Sequence, residues 1–262
     1  MTTRLDPPER SVLDRALSIL SVFDGHHRTL TLSEISRRCG LPVATAHRIV
    51  GKLLEWGALE RTAEGKYGIG LWLWKTGTLA PHCSSLARTA HPYLVRLHRQ
   101  TSAAAVLTIR DGLQGLCLGS VFHDPHRSPT VSSMGGRLPL HATASGLVLL
   151  AHASQAVRDE VCAGPLERHT PATITEAAAL RRCLAQVRRQ GYALGEGMCV
   201  TTSSAVAAPV RDGRGVVTAA VAAVAWERDF QPLRLIPAVL ATAEALSCHL
   251  QTSGQQAVRA GA

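Results

Sequence analysis

The stretch from Thr31 to Gly57, TLSEISRRCGLPVATAHRIVGKLLEWG, constrains the fold more than any other part of the chain. Thr31 followed three residues later by Glu34 is a capping box, in which each side chain satisfies a backbone N–H of the other residue. A short helix therefore runs to about Cys39. Gly40 suits the position after its end, where left-handed backbone is common. Pro42 suits the first turn of a following helix, because an N–H is not needed there. In that helix Ala46, Ile49, Val50, Leu53 and Leu54 make one apolar face. The opposite face holds Ala44, Arg48, Gly51 and Glu55, flanked by Thr45, His47 and Lys52, and Gly57 ends the helix. Two short helices joined by a tight Gly-containing turn, the second with a small and cationic outer face, make a helix-turn-helix. Small residues at the front of the second helix let its backbone approach base edges. Arg48 has the fork that matches guanine, and Lys52 suits a phosphate.

The flanks extend the pattern. Residues 1–9 carry Pro7 and Pro8 and read as a flexible arm. Ser11 with Asp14 signals another helix start. Leu13, Ala16, Leu17 and Leu20 then follow helical spacing, with Val12, Ile19 and Phe23 widening the stripe. The segment DGHHRT (24–29) breaks it, and Leu30 and Leu32 flank Thr31 in a short extended piece. LERTAEGKYGIG (59–70) predicts a β-hairpin turning at Glu64-Gly65. After a helix-turn-helix such a hairpin is a wing, with Arg61 and Lys66 near the DNA backbone or minor groove. LWLWKTGTLA (71–80) reads as a linker helix whose exposed apolar surface suits a dimer contact. Three amphipathic helices and a hairpin also occur in winged modules that bind only protein, so spacing alone leaves both readings open.

Composition excludes several classes. The 262 residues fit two small domains or one large one. With 46% hydrophobic and 18% charged residues, the chain suits a folded core and not general disorder. The net charge of +9 permits an anionic partner, but residues 1–80 hold 11 basic and 8 acidic side chains and so carry only +3 of it. The positions of a few basic residues, not the total, point to DNA. Seven cysteines, an odd number without a CxxC pair, imply a reducing cytoplasm and isolated thiols. No apolar run reaches the roughly 18 residues of a membrane span. The opening MTTRLDPPER lacks the apolar core of a secretory signal. A cytoplasmic chain without a membrane partner is expected.

The second part reads as strands and helices in alternation. Residues 82–100 carry Leu86, Ala90, Leu94 and Leu97 at helical spacing, with Pro92 marking a kink or a new start. AAAVLTIR (103–110) and LQGLCLGSVF (113–122) are strands joined at Asp111-Gly112. Residues 123–136 form a loop rich in Pro, Ser and Gly, and a helix starts near Thr143. Glu176 to Gln190 is an amphipathic helix. VRDGRGVV (210–217) is a second Asp-Gly turn between apolar strands, and Pro232 to Leu250 closes the chain as a helix. The expected class is α+β: an N-terminal winged helix-turn-helix and a C-terminal sensory domain with an antiparallel sheet and helices on its faces. The boundaries expected are an arm over 1–9, the winged helix over 10–70, the linker helix over 71–82 and the second domain over 83–254.

Four ordered blocks now carry a resemblance. TLSEISRRCGLPVATAHRIVGKLLEWGALER (31–61) resembles the winged helix-turn-helix of the IclR family of bacterial transcription regulators. GGRLPLHATASGLVLLA (135–151) is similar to that family's effector-domain motif. RRQGYALGE (188–196) and AVAAPVRDGRGVV (205–217) are similar to its later signatures. The resemblance implies a homodimer or homotetramer on a pseudo-palindromic operator in double-stranded DNA, with a GAF-like C-terminal domain that senses a small-molecule effector. The DNA-binding set is then Ser33, Val43, Ala44, Thr45, His47, Arg48 and Lys52, with Arg61 and Lys66 on the wing. The recognition helix departs from the family's Pro, basic, Ser, Thr start, having Pro42, Val43, Ala44 and Thr45, so one phosphate or base contact is expected to be missing.

The resemblance also implies an effector pocket around the start of the 143–153 helix, whose free N–H groups suit a carboxylate. Its expected lining is Met134, Leu140, Thr143, Ala144 and Ser145, with Gly195, Ser203, Ser204 and Ala205 opposite. Thr201 and Thr202 are further polar candidates. Family members that bind small oxo-acids have acidic and thiol side chains where this chain has Gly195 and Ala205. The later serines fall in VTAAVAAVA (217–225), apolar apart from Thr218. The pocket is therefore expected to be roomier and more apolar, for an effector bulkier than glyoxylate. The alternative is that these small residues simply close the cavity.

Other chemistry has thin support. His141 and Ser145 lie four apart but lack an orienting third group, so no catalytic residue is assigned. His123, Asp124 and His126 could ligate zinc, but sit in a Pro-containing loop without a fourth ligand, so no metal site is assigned. No P-loop or GxGxxG is present and no cofactor is expected. Two further readings stand as alternatives: an enzyme on the GAF-like domain with a protein-docking winged helix, and a constitutive DNA-binding protein without an effector.

Overall fold

The local start and stop signals of the first unit build three helices and a small sheet. A computed structural model describes residues 11–25, 27–123 and 134–260, and the chain divides into two units, Met1–Ser84 and Ser85–Ala262. Helix α1 (Val12–Leu20) begins on a reciprocal cap: the Asp14 N–H donates to the Ser11 hydroxyl at 3.1 Å, and the Asp14 carboxylate accepts the Ser11 N–H. Helix α2 (Leu32–Cys39) repeats the device, with the Glu34 carboxylate 2.8 Å from the Thr31 N–H. Gly40 ends α2 with φ +66°. The Ser36 hydroxyl donates to the Leu41 carbonyl at 2.6 Å, and the Leu41 N–H returns to Ser36 O at 3.1 Å, which fastens the turn. Helix α3 (Val43–Glu55) starts one residue later than expected. Pro42 is the cap, and its carbonyl accepts the Ala46 N–H.

Strand β1 (Thr29–Leu30) pairs with β3 (Tyr67–Ile69), which pairs with β2 (Leu59–Arg61), all antiparallel. The hairpin matches expectation, whereas its third strand is a tertiary pairing that local sequence does not specify. Ile19, Ile35, Ala46, Ile49, Val50, Leu59 and Tyr67 form the core. The α1 stripe differs from the expected one. Ile19 is buried with Ala16 and Leu20 against it, while Val12, Leu13 and Leu17 are more than half exposed. Helix α4 (Leu71–Gly77) buries no residue and leaves Leu71, Trp72 and Trp74 exposed.

In the second unit, α5 (Pro81–Thr101) runs through Pro92 as one helix. The sheet consists of β4 (Ala104–Asp111), β5 (Gln114–Val121), β6 (Arg137–Pro139), β7 (Ala193–Glu196), β8 (Ser203–Arg211) and β9 (Val217–Trp226). Its order is β6-β5-β4-β9-β8-β7, and every pairing is antiparallel. The long apolar runs of β4, β8 and β9 reflect burial on both faces. One face carries α5 and α9 (Pro232–Ala260), packed on Leu107, Val206, Ala208 and Val221. The other carries α6 (Ala144–Ala151), α7 (Gln155–Ala163) and α8 (Ala177–Gln190). Helix α7 starts on a Ser154 cap, whose hydroxyl accepts the Val157 N–H. All eight residues of α6 are buried, as befits a helix that is apolar all round. Residues Pro232–Thr252 of α9 are long and apolar enough to span a membrane by length and composition alone. The stretch is not an unbroken apolar run, since Arg234 and Glu244 interrupt it. Here Leu235, Val239, Ala243 and Leu246 of that stretch are buried against the sheet.

Candidate functional site

The outer face of α3 is open. Val43 is 53% exposed, Ala44, His47, Arg48 and Lys52 are exposed, and Thr45 is half-buried. The apolar stripe Ala46, Ile49 and Val50 fixes this orientation by burying the other side. Arg48 and Lys52 edge a shallow groove shared with Val12, Ala16 and Trp56. Lys52 pairs with Glu55 at 2.8 Å, both side chains being mostly exposed, so the pair is worth little and yields readily to a phosphate. Ser33 is exposed in the first turn of α2. On the hairpin, the Arg61 guanidinium lies 5.9 Å from the Tyr67 ring centre, and Lys66 is exposed at the turn. Each expected DNA-facing residue is thus accessible except Thr45, which is partly covered. Glu34, held below its ordinary 4.5 chiefly by the Thr31 N–H, stays charged and keeps α2 capped at neutral pH.

The second site is a cavity of about 60 Å³ between the sheet and the start of α6. It brings together Thr143, Ala144, Ser145, Gly195, Ser203, Ser204 and Ala205. Two expected members lie elsewhere. Leu140 is a core residue, and Met134 is 70% exposed in the loop after the undescribed residues. Thr201 and Thr202 are exposed in a separate open cleft with Trp226 and Glu227. The lining that sequence reasoning missed is Val106, Thr108, Leu138, Ala142, Met198, Cys199 and Val224.

The α6 cap shapes the cavity's polar end. The Thr143 hydroxyl accepts the Gly146 N–H at 3.0 Å, and the Thr143 carbonyl accepts that of Leu147. The N–H groups of Ala144 and Ser145 have no partner among the described residues, and the helix start adds a partial positive charge. Ser204 is occupied, accepting the Gly197 N–H at 3.1 Å and donating to the Glu227 carboxylate. Burial pushes the Cys199 thiol above its ordinary range, so it lines the cavity as a neutral group.

The room expected at Gly195 is not there. A Cβ built on Gly195 would stand 3.0 Å from the Ala144 nitrogen and 3.3 Å from its Cβ. The missing side chain lets β7 and α6 approach closely; it does not open space. At about 60 Å³ the cavity is small. A larger cleft of about 490 Å³, between the end of α5 and the start of α9, holds none of the expected effector residues, though His123 lines it.

The catalytic and metal alternatives fare differently. The His141 Nε2–H donates to the Glu167 carbonyl at 2.9 Å, and the buried ring tilts against His169. That imidazole is committed to a loop, not to Ser145. Asp124 and His126 lie outside the described residues. Among the described residues there is no group of three metal-ligating side chains.

Comparison with known proteins gives the following. The family model of the IclR helix-turn-helix domain matches residues 12–63, and that of the C-terminal domain of bacterial transcriptional regulator IclR matches 80–248. The HTH-type transcriptional regulator XynR of Escherichia coli is 33% identical over 211 residues, 80% of this chain and 83% of that one. The glycerol operon regulatory protein of Streptomyces griseus is 34% identical over 210 residues, 80% and 82%. Among solved structures, an IclR homolog from Microbacterium hydrocarbonoxydans complexed with 4-hydroxybenzoate superposes with a TM-score of 0.85 at 33% identity, over 92% of this chain and 100% of that one. The Thermotoga maritima IclR has a TM-score of 0.73 at 26% identity, over 91% and 98%.

Proposed function

This chain belongs to the IclR family of transcriptional regulators, and from that premise we propose how its residues divide the work. It is a sequence-specific DNA-binding regulator with a ligand-binding C-terminal domain. In our reading Ala44, Thr45, His47 and Arg48 enter the major groove. Ser33 and Lys52 meet phosphates, and Arg61 and Lys66 hold the backbone beside the wing. The observation that carries this reading is the exposed face of α3, small at its front and cationic behind, held outward by a buried opposite face.

A carboxylic acid is the proposed effector, its carboxylate on the free N–H groups of Ala144 and Ser145. The apolar lining favours an acid with an apolar body, larger than glyoxylate, and the related regulator holding 4-hydroxybenzoate supports that class. Such an acid requires the lining of this small cavity to give way. The exposed apolar residues of α1 and α4 support a homodimer, on which a pseudo-palindromic operator or a further dimer-of-dimers follows. Effector binding then shifts the population between dimers that fit the operator and dimers that do not. The chain works in the cytoplasm and turns nothing over. Thermal-shift titration with 4-hydroxybenzoate and with glyoxylate tests the effector reading. A shift with 4-hydroxybenzoate is expected, and a shift with glyoxylate alone removes the apolar-acid proposal.

A further inference from the structure

Among the described residues, one buried side-chain polar atom lacks a hydrogen-bond partner: the Thr108 hydroxyl. Thr108 is 1% exposed and lines the cavity beneath α6. Buried hydroxyls in folded proteins are nearly always paired, and an unpaired one is destabilising, so it calls for an explanation. Thr108 sits at a bulge in the β4–β5 pairing, where Leu107 faces Gly119 and Thr108 faces Cys117. Its neighbour across β9 is Ala220, which offers no side-chain partner. Its methyl is used: a Cβ on Gly115 would stand 3.1 Å from Thr108 Cγ2. What remains is a hydroxyl without a protein partner, in a residue that lines the same cavity as Ala144 and Ser145 of α6.

We propose that Thr108 determines effector specificity by hydrogen-bonding a second oxygen of the bound acid. The effector class is then a carboxylic acid that also carries a hydroxyl or oxo oxygen at its far end, the carboxylate on α6 and the second oxygen on Thr108. This rests on the assignment of the α6 cavity as the effector site. It extends that assignment, because an acid with no second oxygen leaves the hydroxyl unpaired and binds less tightly.

The experiment compares wild type, Thr108→Val and Thr108→Ser in the full chain, by calorimetric unfolding and by titration with 4-hydroxybenzoate, benzoate and glyoxylate. Thr108→Val keeps the shape and removes the hydroxyl. Without ligand, its unfolding temperature is expected to equal or exceed that of wild type, since nothing bonded is lost. With 4-hydroxybenzoate, whose second oxygen lies at the far end, it is expected to bind about 3–10-fold more weakly, the value of one hydrogen bond. Benzoate is expected to bind wild type and Thr108→Val alike, and Thr108→Ser to keep the wild-type preference. A clear fall in the ligand-free unfolding temperature of Thr108→Val overturns the proposal, because the hydroxyl is then structural. Equal binding of 4-hydroxybenzoate by wild type and Thr108→Val overturns it alone and leaves the cavity as the effector site. Failure of all three acids to bind wild type overturns the site assignment as well.

Discussion

Gly195 offers the sharpest handle on the cavity. Replacing it by alanine adds one carbon, which would stand 3.0 Å from the Ala144 nitrogen and 3.3 Å from the Ala144 Cβ. Ordinary contacts between such atoms begin near 3.4 Å, so β7 or α6 must give by a few tenths of an ångström. Overpacking of this kind costs about 1–3 kcal/mol. Gly195 lies in a strand and does not use positive φ, so alanine also gains about 0.4–1 kcal/mol by restricting the unfolded chain. The net loss lies between about 0 and 2.6 kcal/mol and centres near 1.3 kcal/mol. At roughly 2–4 °C per kcal/mol for a unit of this size, the unfolding temperature should fall by several degrees. The added methyl also crowds the Ala144 N–H that we assign to the effector's carboxylate. Calorimetric unfolding with and without an acid that shifts wild type reads both effects. A Gly195→Ala protein as stable as wild type, with its acid response intact, would refute the close approach and the use made of it.

Arg48→Ala should leave unfolding unchanged, because the side chain is exposed and forms no ion pair with the described residues, yet weaken operator binding by about 1–3 kcal/mol in an anisotropy titration. Lys52→Ala should weaken binding alike on all sequences and lower the slope of log K against log salt by about one. Burial holds the half-buried His152 imidazole below its ordinary 6.5, so its contribution is full above that pH and is lost as pH falls toward the lower folded value. The urea midpoint should therefore drop between pH 7.5 and 5.5, and His152→Gln should flatten that drop; parallel pH profiles would remove His152 as a cause.

The parts of the fold written in short-range signals were legible. Capping pairs three residues apart, Gly40 after α2, the Asp111-Gly112 turn and the stripe of α3 each need only their own neighbours to act. What escaped depends on distant partners. The pairing of β1 with β3 and the bulge at Thr108 are set by other strands. On α1 the period was right but the stripe was wider than the buried contact, so Ile19 faces the core while Leu13 and Leu17 do not. At the cavity, the α6 cap at Thr143 was readable from sequence, but Met198 and Cys199 reach it from a turn with no signal of its own. Thr108 left a faint mark as the polar residue in the apolar run AAAVLTI, two positions from Val106 and therefore on the same face. Gly195 was read as space because sequence records a missing side chain but not the backbone that fills its place.

The central claim is that this chain recognises particular DNA sequences through the outer face of α3 and the wing. Footprinting of fragmented genomic DNA with the purified full chain tests it most directly. Protection of discrete pseudo-palindromic sites is expected at nanomolar protein, lost with Arg48→Ala and altered by the acid that shifts the protein's unfolding. Uniform protection that varies with salt but not with sequence, and is the same for Arg48→Ala, would contradict it.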